Sequence, residues 1–472
     1  MSSAQQPSVL RIFVASLAVL LVCAASSAQD TRKVVEPVLP PTCVTLTSVF
    51  TPASATSGEI ESRTTRSVAE DTRRIQQALD HCAKGHAVEL APDPANAAAK
   101  TAFLSGPIQL RAGVTLLIDK SVTLFASRNP QDYEISNSSC GLVSDAPSGC
   151  HPLITAKNAT GSAIMGDGVI DGQGGATIIA DGKPSAKSWW DLAEEARTAG
   201  RQQVPRLIET DLTDDFTLYR ITLRNSPNFH VSYHRGDGLT VWGVKIDTPR
   251  TARNTDGIDP SQSRNITITH TYIRTGDDDI AIKAGDGPTT NVSVLDNHFY
   301  SGHGMSIGSE TNGGVSQILV RSLTLDGPDN GLRIKSNPTR GGLVEDVLYD
   351  DVCIRDSKNP IVFDTAYSFP GKGVALYPVY KNITLRNVRI SGGGKLQFNG
   401  FDHAHRIGVT LDGVLLLDGA SRYKAQAIHT DLTFGPGPAN PVFTGDDSTI
   451  LGKQRPGSLP ACAANFVPFP AP

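Results

Sequence analysis

Three groups of residues in the middle of the chain carry side chains able to do acid–base chemistry. They are the aspartates Asp256, Asp277 and Asp278, the imidazole of His303, and the cations Arg333 and Lys335. Hydrolysing a glycosidic bond requires one carboxylic acid to protonate the leaving oxygen and a second carboxylate to activate water or attack. Packing aspartates together raises the pKa of at least one of them, which keeps a proton available. A guanidinium and an ammonium can neutralise a carboxylate on the substrate. An acidic site facing a basic pair therefore suits an anionic sugar polymer. Taken singly, each residue has a plainer reading. An Asp after Gly or Asn braces a turn, a His in a Gly-rich turn is structural, and Arg-x-Lys on a strand is a solvated face. The residues make a site only if the fold brings them together.

The elements that would do so are repeats. Short β-rich runs, each after a turn-type polar residue, begin at Phe216, Leu239, Ile266, Val292, Ile318, Val347, Ile383 and Val409, mostly with a period in the mid-twenties. Apolar and polar residues alternate within them, as in half-buried strands. A unit of that length cannot bury its apolar face alone, so stacked units must share one core. The fold class predicted is all-β: a single-domain right-handed parallel β-helix, a solenoid. Gly113–Ser127 and Gly161–Asp171 read as earlier coils, 172–206 as an insertion with a short helix, and Asp71–Ala83 as an N-terminal capping helix over exposed strand edges. Adjacent coils lie ~4.8 Å apart, so matching offsets stack. Asp277 and His303 stand at the same offset from Ile266 and Val292, and Asp256 lies about one coil before Asp278. All should flank one spot, with Arg333 and Lys335 one unit further on. Lys283 ends its strand on the same side, whereas Asp259 reads as a turn brace and Asp279 as structural or solvent-facing.

Composition bounds the rest. Among 472 residues, 19% are charged and 44 are glycine, and the formal net charge is −4, which excludes a generally basic nucleic-acid binder. Arg11, the apolar run Ile12–Ala25 and Ser26-Ser27-Ala28 read as a signal peptide over residues 1–28, whose removal takes one cation and moves the charge to −5. The expected organisation is an N-terminal segment with helical cap over 29–90 and a β-helix catalytic domain with C-terminal tail over 91–472. A secreted, extracellular or periplasmic monomer without a membrane anchor is expected. Six cysteines remain after the leader, an even number in an exported chain. Cys140 and Cys150 bracket a ten-residue loop and make the firmest pair. Cys43 with Cys82 and Cys353 with Cys462 complete one of many possible connectivities. Asn137, Asn158, Asn265, Asn291 and Asn382 fit a glycosylation pattern, but several immediately precede repeat strands, where asparagine serves the turn. Trp189 and Trp190 are expected in helix packing.

The motifs Asn254-Thr255-Asp256-Gly257-Ile258-Asp259, Gly276-Asp277-Asp278-Asp279-Ile280-Ala281-Ile282-Lys283, Gly302-His303-Gly304-Met305-Ser306-Ile307-Gly308-Ser309 and Arg333-Ile334-Lys335 follow in that order. Together with Asn225-Ser226-Pro227 and Pro360–Tyr367, they closely resemble the signatures of the polygalacturonases of glycoside hydrolase family 28, in wording nearest the bacterial endo-acting members. The resemblance implies inverting hydrolysis of α-1,4 bonds in de-esterified pectin without a metal or other cofactor. It implies Asp277 as general acid, Asp256 and Asp278 as the water-activating pair, and His303 as support for the acid. Arg333 and Lys335 would hold the galacturonate carboxylate, with Tyr367, Lys283 and Asn254 completing the substrate contacts. The alternatives are an exo-acting relative, a Ca²⁺-dependent pectate lyase and a non-catalytic β-helical carbohydrate-binding protein.

Overall fold

The computed structural model of the chain describes residues 29–57, 65–135, 139–145, 149–180, 183–368, 376–462 and 465–471. The leader at 1–28 and the Asn137 sequon lie outside the described residues. The fold is a right-handed parallel β-helix. Each coil contributes a short strand to one eleven-stranded parallel sheet and one or two strands, or a long bent one, to a twenty-stranded sheet. The repeat register read from sequence is the register observed. Phe216 pairs with Leu239, then Ile266, Val292, Ile318, Val347, Ile383 and Val409 in unbroken succession. These side chains are all buried, as their β-branched and aliphatic types require when a pleated strand faces the core. Each such burial is worth about 1.5–3 kcal/mol, and the stacking repeats it coil after coil.

Corners between strands are made by residues in the left-handed region. Asn265, Asn291 and Asn382 have φ of 55°, 59° and 54°, a conformation asparagine tolerates better than most residues. The capping helix is present but runs Thr65–His81, so it begins earlier and ends earlier than the Asp71–Ala83 reading. Its Ile75 and Leu79 join the main core. The 172–206 insertion holds a hairpin, Thr177–Ala180 with Lys183–Ser188, and the helix Trp189–Glu195. Trp189 is buried, and the Trp190 Nε1–H donates to the Ser226 carbonyl oxygen at 2.9 Å, so both tryptophans serve packing.

Both terminal segments run back over the solenoid. The Gln29 and Asp30 backbone N–H groups donate to Ser293 Oγ, and Thr267 Oγ1 donates to Asp30 Oδ2 at 2.7 Å. At the other end, Arg355 lies over the Phe466 ring and Arg274 over Phe469. The disulfides are Cys43–Cys82, Cys140–Cys150 and Cys353–Cys462, the pairing set out from sequence. The last fastens the tail to a strand 109 residues away. Among the described residues, no helix is long and apolar enough to cross a membrane.

Candidate active site

The eleven-stranded sheet presents its outward side chains as parallel rows, and the chemistry lies on these rows and in the turns that lead into them. Ile258, Ile280, Met305 and Leu332 are successive inward partners, which fixes what lies beside them. Asp256 and Asp278 each precede such a residue by two and end the turn that enters the strand. Ser306 pairs with Arg333 on the outward row, and Lys335 lies two residues beyond. The turn residues stack as the offsets require: the His303 N–H donates to the Asp277 carbonyl at 2.7 Å, and the Gly257 N–H to the Asp278 carbonyl at 2.9 Å.

Asp277 and His303 meet through Oδ1 and Nδ1 at 3.0 Å, and the Asp278 N–H donates to the same oxygen at 2.9 Å. Asp278 is clamped: Lys335 Nζ donates to Oδ2 at 2.6 Å, Ser306 Oγ to Oδ1 at 2.7 Å, and Arg333 Nη1 reaches Oδ1 at 3.3 Å. Tyr367 closes this side, with Arg333 and Lys335 at 5.0 and 5.2 Å from its ring centre. On the other side, Lys283 Nζ lies 2.5 Å from Asp259 Oδ2 and 3.4 Å from Asp256 Oδ2. Asn254, half-buried with φ of 57°, lies in the turn two residues before Asp256 and accepts from Gln202 Nε2 at 3.2 Å.

One sequence reading needs correction, and another is narrowed. Asp259 is not a turn brace. It lies on the strand Ile258–Ser261, where alternation after the inward Ile258 turns it outward against Lys283. Of the two readings left open for Asp279, structural or solvent-facing, the structural one holds. Asp279 is fully buried beneath the site, taking the Gly304 N–H at 3.1 Å and Thr275 Oγ1 at 3.3 Å. It thereby fixes the turn that joins His303 to its strand, where Gly304 has a φ of 73° and its missing Cβ lets the Asn330 and Gly331 carbonyls approach.

Electrostatics separate the carboxylates. Burial pushes Asp256 well above the usual carboxylate range, and the charges of Asp259 and Asp277 add to this against Lys283. Burial pushes Asp259 up to about 6 despite Lys283. Burial also acts to raise Asp277, but the hydrogen bond and charge of His303, then Lys335 and the Asp278 N–H, outweigh it and hold Asp277 below the ordinary range. Lys283 is held above its usual value: burial opposes its charge, but Asp259 and Asp256 more than compensate. Of the two, Asp256 therefore has the greater affinity for a proton and Asp277 the lesser. Asp256 Oδ1 and Asp259 Oδ1 are buried acceptors with no hydrogen-bond partner among the described residues, and a buried orphan of this kind costs about 1–3 kcal/mol.

The raised values have a consequence for stability. Carboxylates whose folded pKa exceeds the unfolded value contribute fully below the unfolded value, about 4, and lose that contribution as pH rises through the folded one. For Asp259 the loss runs from about 4 to about 6 and is complete above that, and for Asp256 it continues to higher pH. Asp256→Asn removes one of these charges while Lys283 keeps Asp259. Its thermal midpoint is expected to match wild type near pH 4 and to exceed it increasingly toward neutral pH. A constant offset at every pH would contradict the burial of a charged Asp256.

One group could in principle chelate a cation: Asp277, Asp278 and His303 place ligand atoms within 4.8 Å of one another. Both Asp278 oxygens and one Asp277 oxygen are already engaged by protein donors, so a cation would have to displace Lys335. The donor set fits proton chemistry better than a hard divalent ion, which takes six to eight oxygens in the case of Ca²⁺.

Sequence reasoning missed Arg206 and Phe229. The Phe229 ring lies between the Arg206 guanidinium, 5.2 Å from its centre, and the Lys283 ammonium, 4.3 Å away. The available signal was its place just after Asn225-Ser226-Pro227, in the turn entering the coil before Asp256.

A family model described as Glycosyl hydrolases family 28 matches residues 93–433. An endo-polygalacturonase of Pectobacterium carotovorum subsp. carotovorum is 43% identical over 410 residues, covering 86% of this chain and 94% of the relative. A polygalacturonase of Ralstonia solanacearum is 39% identical over 496 residues, with 93% and 92% covered. The solved structure of a polygalacturonase from Erwinia carotovora ssp. carotovora matches with a TM-score of 0.74 at 42% identity, covering 85% of this chain and 99% of that one.

Proposed function

This chain belongs to the glycosyl hydrolases of family 28, and from that premise we propose that it is an exported endo-polygalacturonase. It hydrolyses the α-1,4 bonds of de-esterified pectin with inversion. The observation that carries the reading is the clamp of Asp278 by Lys335 and Arg333 immediately beside the Asp277–His303 pair. Carboxylates for proton transfer and cations for an anionic sugar are thereby within one side chain of each other. Substrate is the acidic polysaccharide; the working form is a monomer starting near Gln29, whose solenoid takes in the strands Thr42–Thr47 and His86–Ala91 ahead of residue 91. Disulfides and the leader support export.

In the reaction, Arg333 and Lys335 take the substrate carboxylate, with Tyr367 against them. That carboxylate offsets the positive charge which holds Asp277 low, so its affinity for the proton rises on binding. Asp277 then protonates the leaving glycosidic oxygen, while Asp256 and Asp278, relieved of the proton, orient and deprotonate the attacking water. His303 keeps the Asp277 carboxyl aimed. Because the charges of Asp256 and Asp277 act on each other, the apparent pKa values of the rate profile belong to the coupled groups rather than to one residue. Lys283 and Asn254 border the sugar on the Asp256 side.

The test is release of reducing ends from polygalacturonate with excess chelator. Undiminished release, a rapid fall in viscosity and poor cutting of fully methyl-esterified pectin are expected. Inhibition reversed by Ca²⁺, with an unsaturated, ultraviolet-absorbing product, would instead establish a lyase. Equal rates on esterified and free polymer would remove the role of Arg333 and Lys335.

A further inference from the structure

Of the three aspartates at the site, Asp256 has the least to hold its carboxyl. Asp278 takes three side-chain donors, and Asp277 takes His303 and a backbone N–H. Asp256 Oδ1 has no donor among the described residues, and Oδ2 has only the long 3.4 Å contact from Lys283 Nζ. A carboxyl so loosely held is aimed by its main chain. That main chain is pinned from the preceding coil by one fully buried residue, His230. The His230 backbone N–H donates to the Asp256 carbonyl at 2.8 Å, and ring Nδ1 donates to the same oxygen at 2.9 Å. Ring Nε2 lies 2.8 Å from Oγ1 of Thr248, the residue that follows the strand Lys245–Asp247. One imidazole thus ties the start of the turn at 248–256 to its end.

We infer that His230 is a positioning residue for the hydrolysis: by holding the Asp256 main chain it aims at the attacking water a carboxyl that no neighbouring side chain fixes. The inference rests on the polygalacturonase reading, in which Asp256 belongs to the water-activating pair. The hydrogen bonds define the state of the ring. A carbonyl oxygen only accepts, so the ring proton sits on Nδ1, and the bare Nε2 accepts from the Thr248 hydroxyl. Burial agrees with this, because it lowers the imidazole from its ordinary value to about 4 and the ring stays neutral above that pH. A neutral ring has one donor and one acceptor, and both are used on the two ends of this turn. Both lone pairs of the Asp256 carbonyl are likewise taken by His230 alone, through its backbone and its ring. Filling the core would need only an apolar side chain; fixing both ends of the turn needs the two nitrogens.

The test measures kcat, KM and the thermal midpoint on polygalacturonate for His230→Ala, His230→Asn and His230→Gln. Asparagine places an N–H where Nδ1 stands, so it keeps the bond to Asp256 and gives up Thr248. Glutamine reaches the Nε2 position, so it keeps Thr248 and gives up Asp256. Alanine gives up both. With Ala and Gln, kcat is expected to fall on the order of 10–100-fold at little-changed KM, since a misplacement of about 1 Å at a reacting group costs up to that much. Asn should recover most of kcat. Asn and Gln each lose one buried hydrogen bond, so their thermal midpoints should fall alike and the gap in kcat between them should not follow stability. That comparison decides the matter even if the alanine variant does not fold. Equal kcat for Asn and Gln, or kcat that simply tracks the thermal midpoint, overturns the positioning role while leaving the polygalacturonase reading in place. A wild type that releases no reducing ends overturns that reading and the positioning role together.

Discussion

Replacing Asp277 with Asn is expected to lower kcat on polygalacturonate by on the order of 10²–10⁴ while leaving the thermal midpoint close to wild type. The fold should survive because the two groups that touch Asp277, His303 Nδ1 and the Asp278 N–H, both donate to Oδ1, which an amide retains. The amide cannot deliver a proton to the leaving oxygen. The loss should fall on kcat rather than KM, since in the proposed mechanism the substrate carboxylate is held elsewhere, by Arg333 and Lys335. Steady-state kinetics beside a melting curve check both halves. Near-normal turnover would show that another group is the acid, and Asp256, whose carboxyl burial holds above the usual range, would take its place.

The second large effect is expected from Lys335→Ala. The ammonium is 8% exposed and bonds to a carboxylate that is 1% exposed, so the pair is effectively desolvated. Removing one partner of such a pair strands the other charge, at a cost of about 3–5 kcal/mol in a dry site, moderated here by Arg333 and Ser306. Stability should fall, and Asp278, with one donor fewer holding its carboxylate, should be less well placed to serve as a base. The substrate carboxylate also loses a donor. A fall in kcat/KM of about 10²–10³, corresponding to about 2.7–4 kcal/mol, is expected, with both KM and kcat affected. Lys335→Arg should recover stability better than activity, because a planar fork does not replace a compact ammonium. An unchanged KM on de-esterified polymer would mean that Lys335 serves only to hold Asp278.

Much of this was legible before the fold was known because a solenoid turns sequence offset directly into distance. Equal offsets of Asp277 and His303 from Ile266 and Val292 became a 3.0 Å contact, since those residues are register partners in the core. The same parity could have placed Asp259, one residue beyond the inward Ile258, on the cleft floor; reading it as a turn residue ignored the alternation. Asp279 was harder, because a buried carboxylate that braces a turn looks in sequence like any exposed one. The strap around Asp30 was invisible, because its partners Ser293 and Thr267 are more than 200 residues away and no periodicity marks it.

The central claim is that Asp256, Asp277 and Asp278 hydrolyse a galacturonan by inversion with no metal. It is tested most directly by the configuration of the first new chain ends. Polygalacturonate would be digested in excess chelator and followed by proton NMR faster than the anomers interconvert. Ends that appear first as the β-anomer, with no unsaturated sugar, are the expected result. Ends that appear first as the α-anomer, or unsaturated ends, or no reaction until Ca²⁺ is restored, would contradict it.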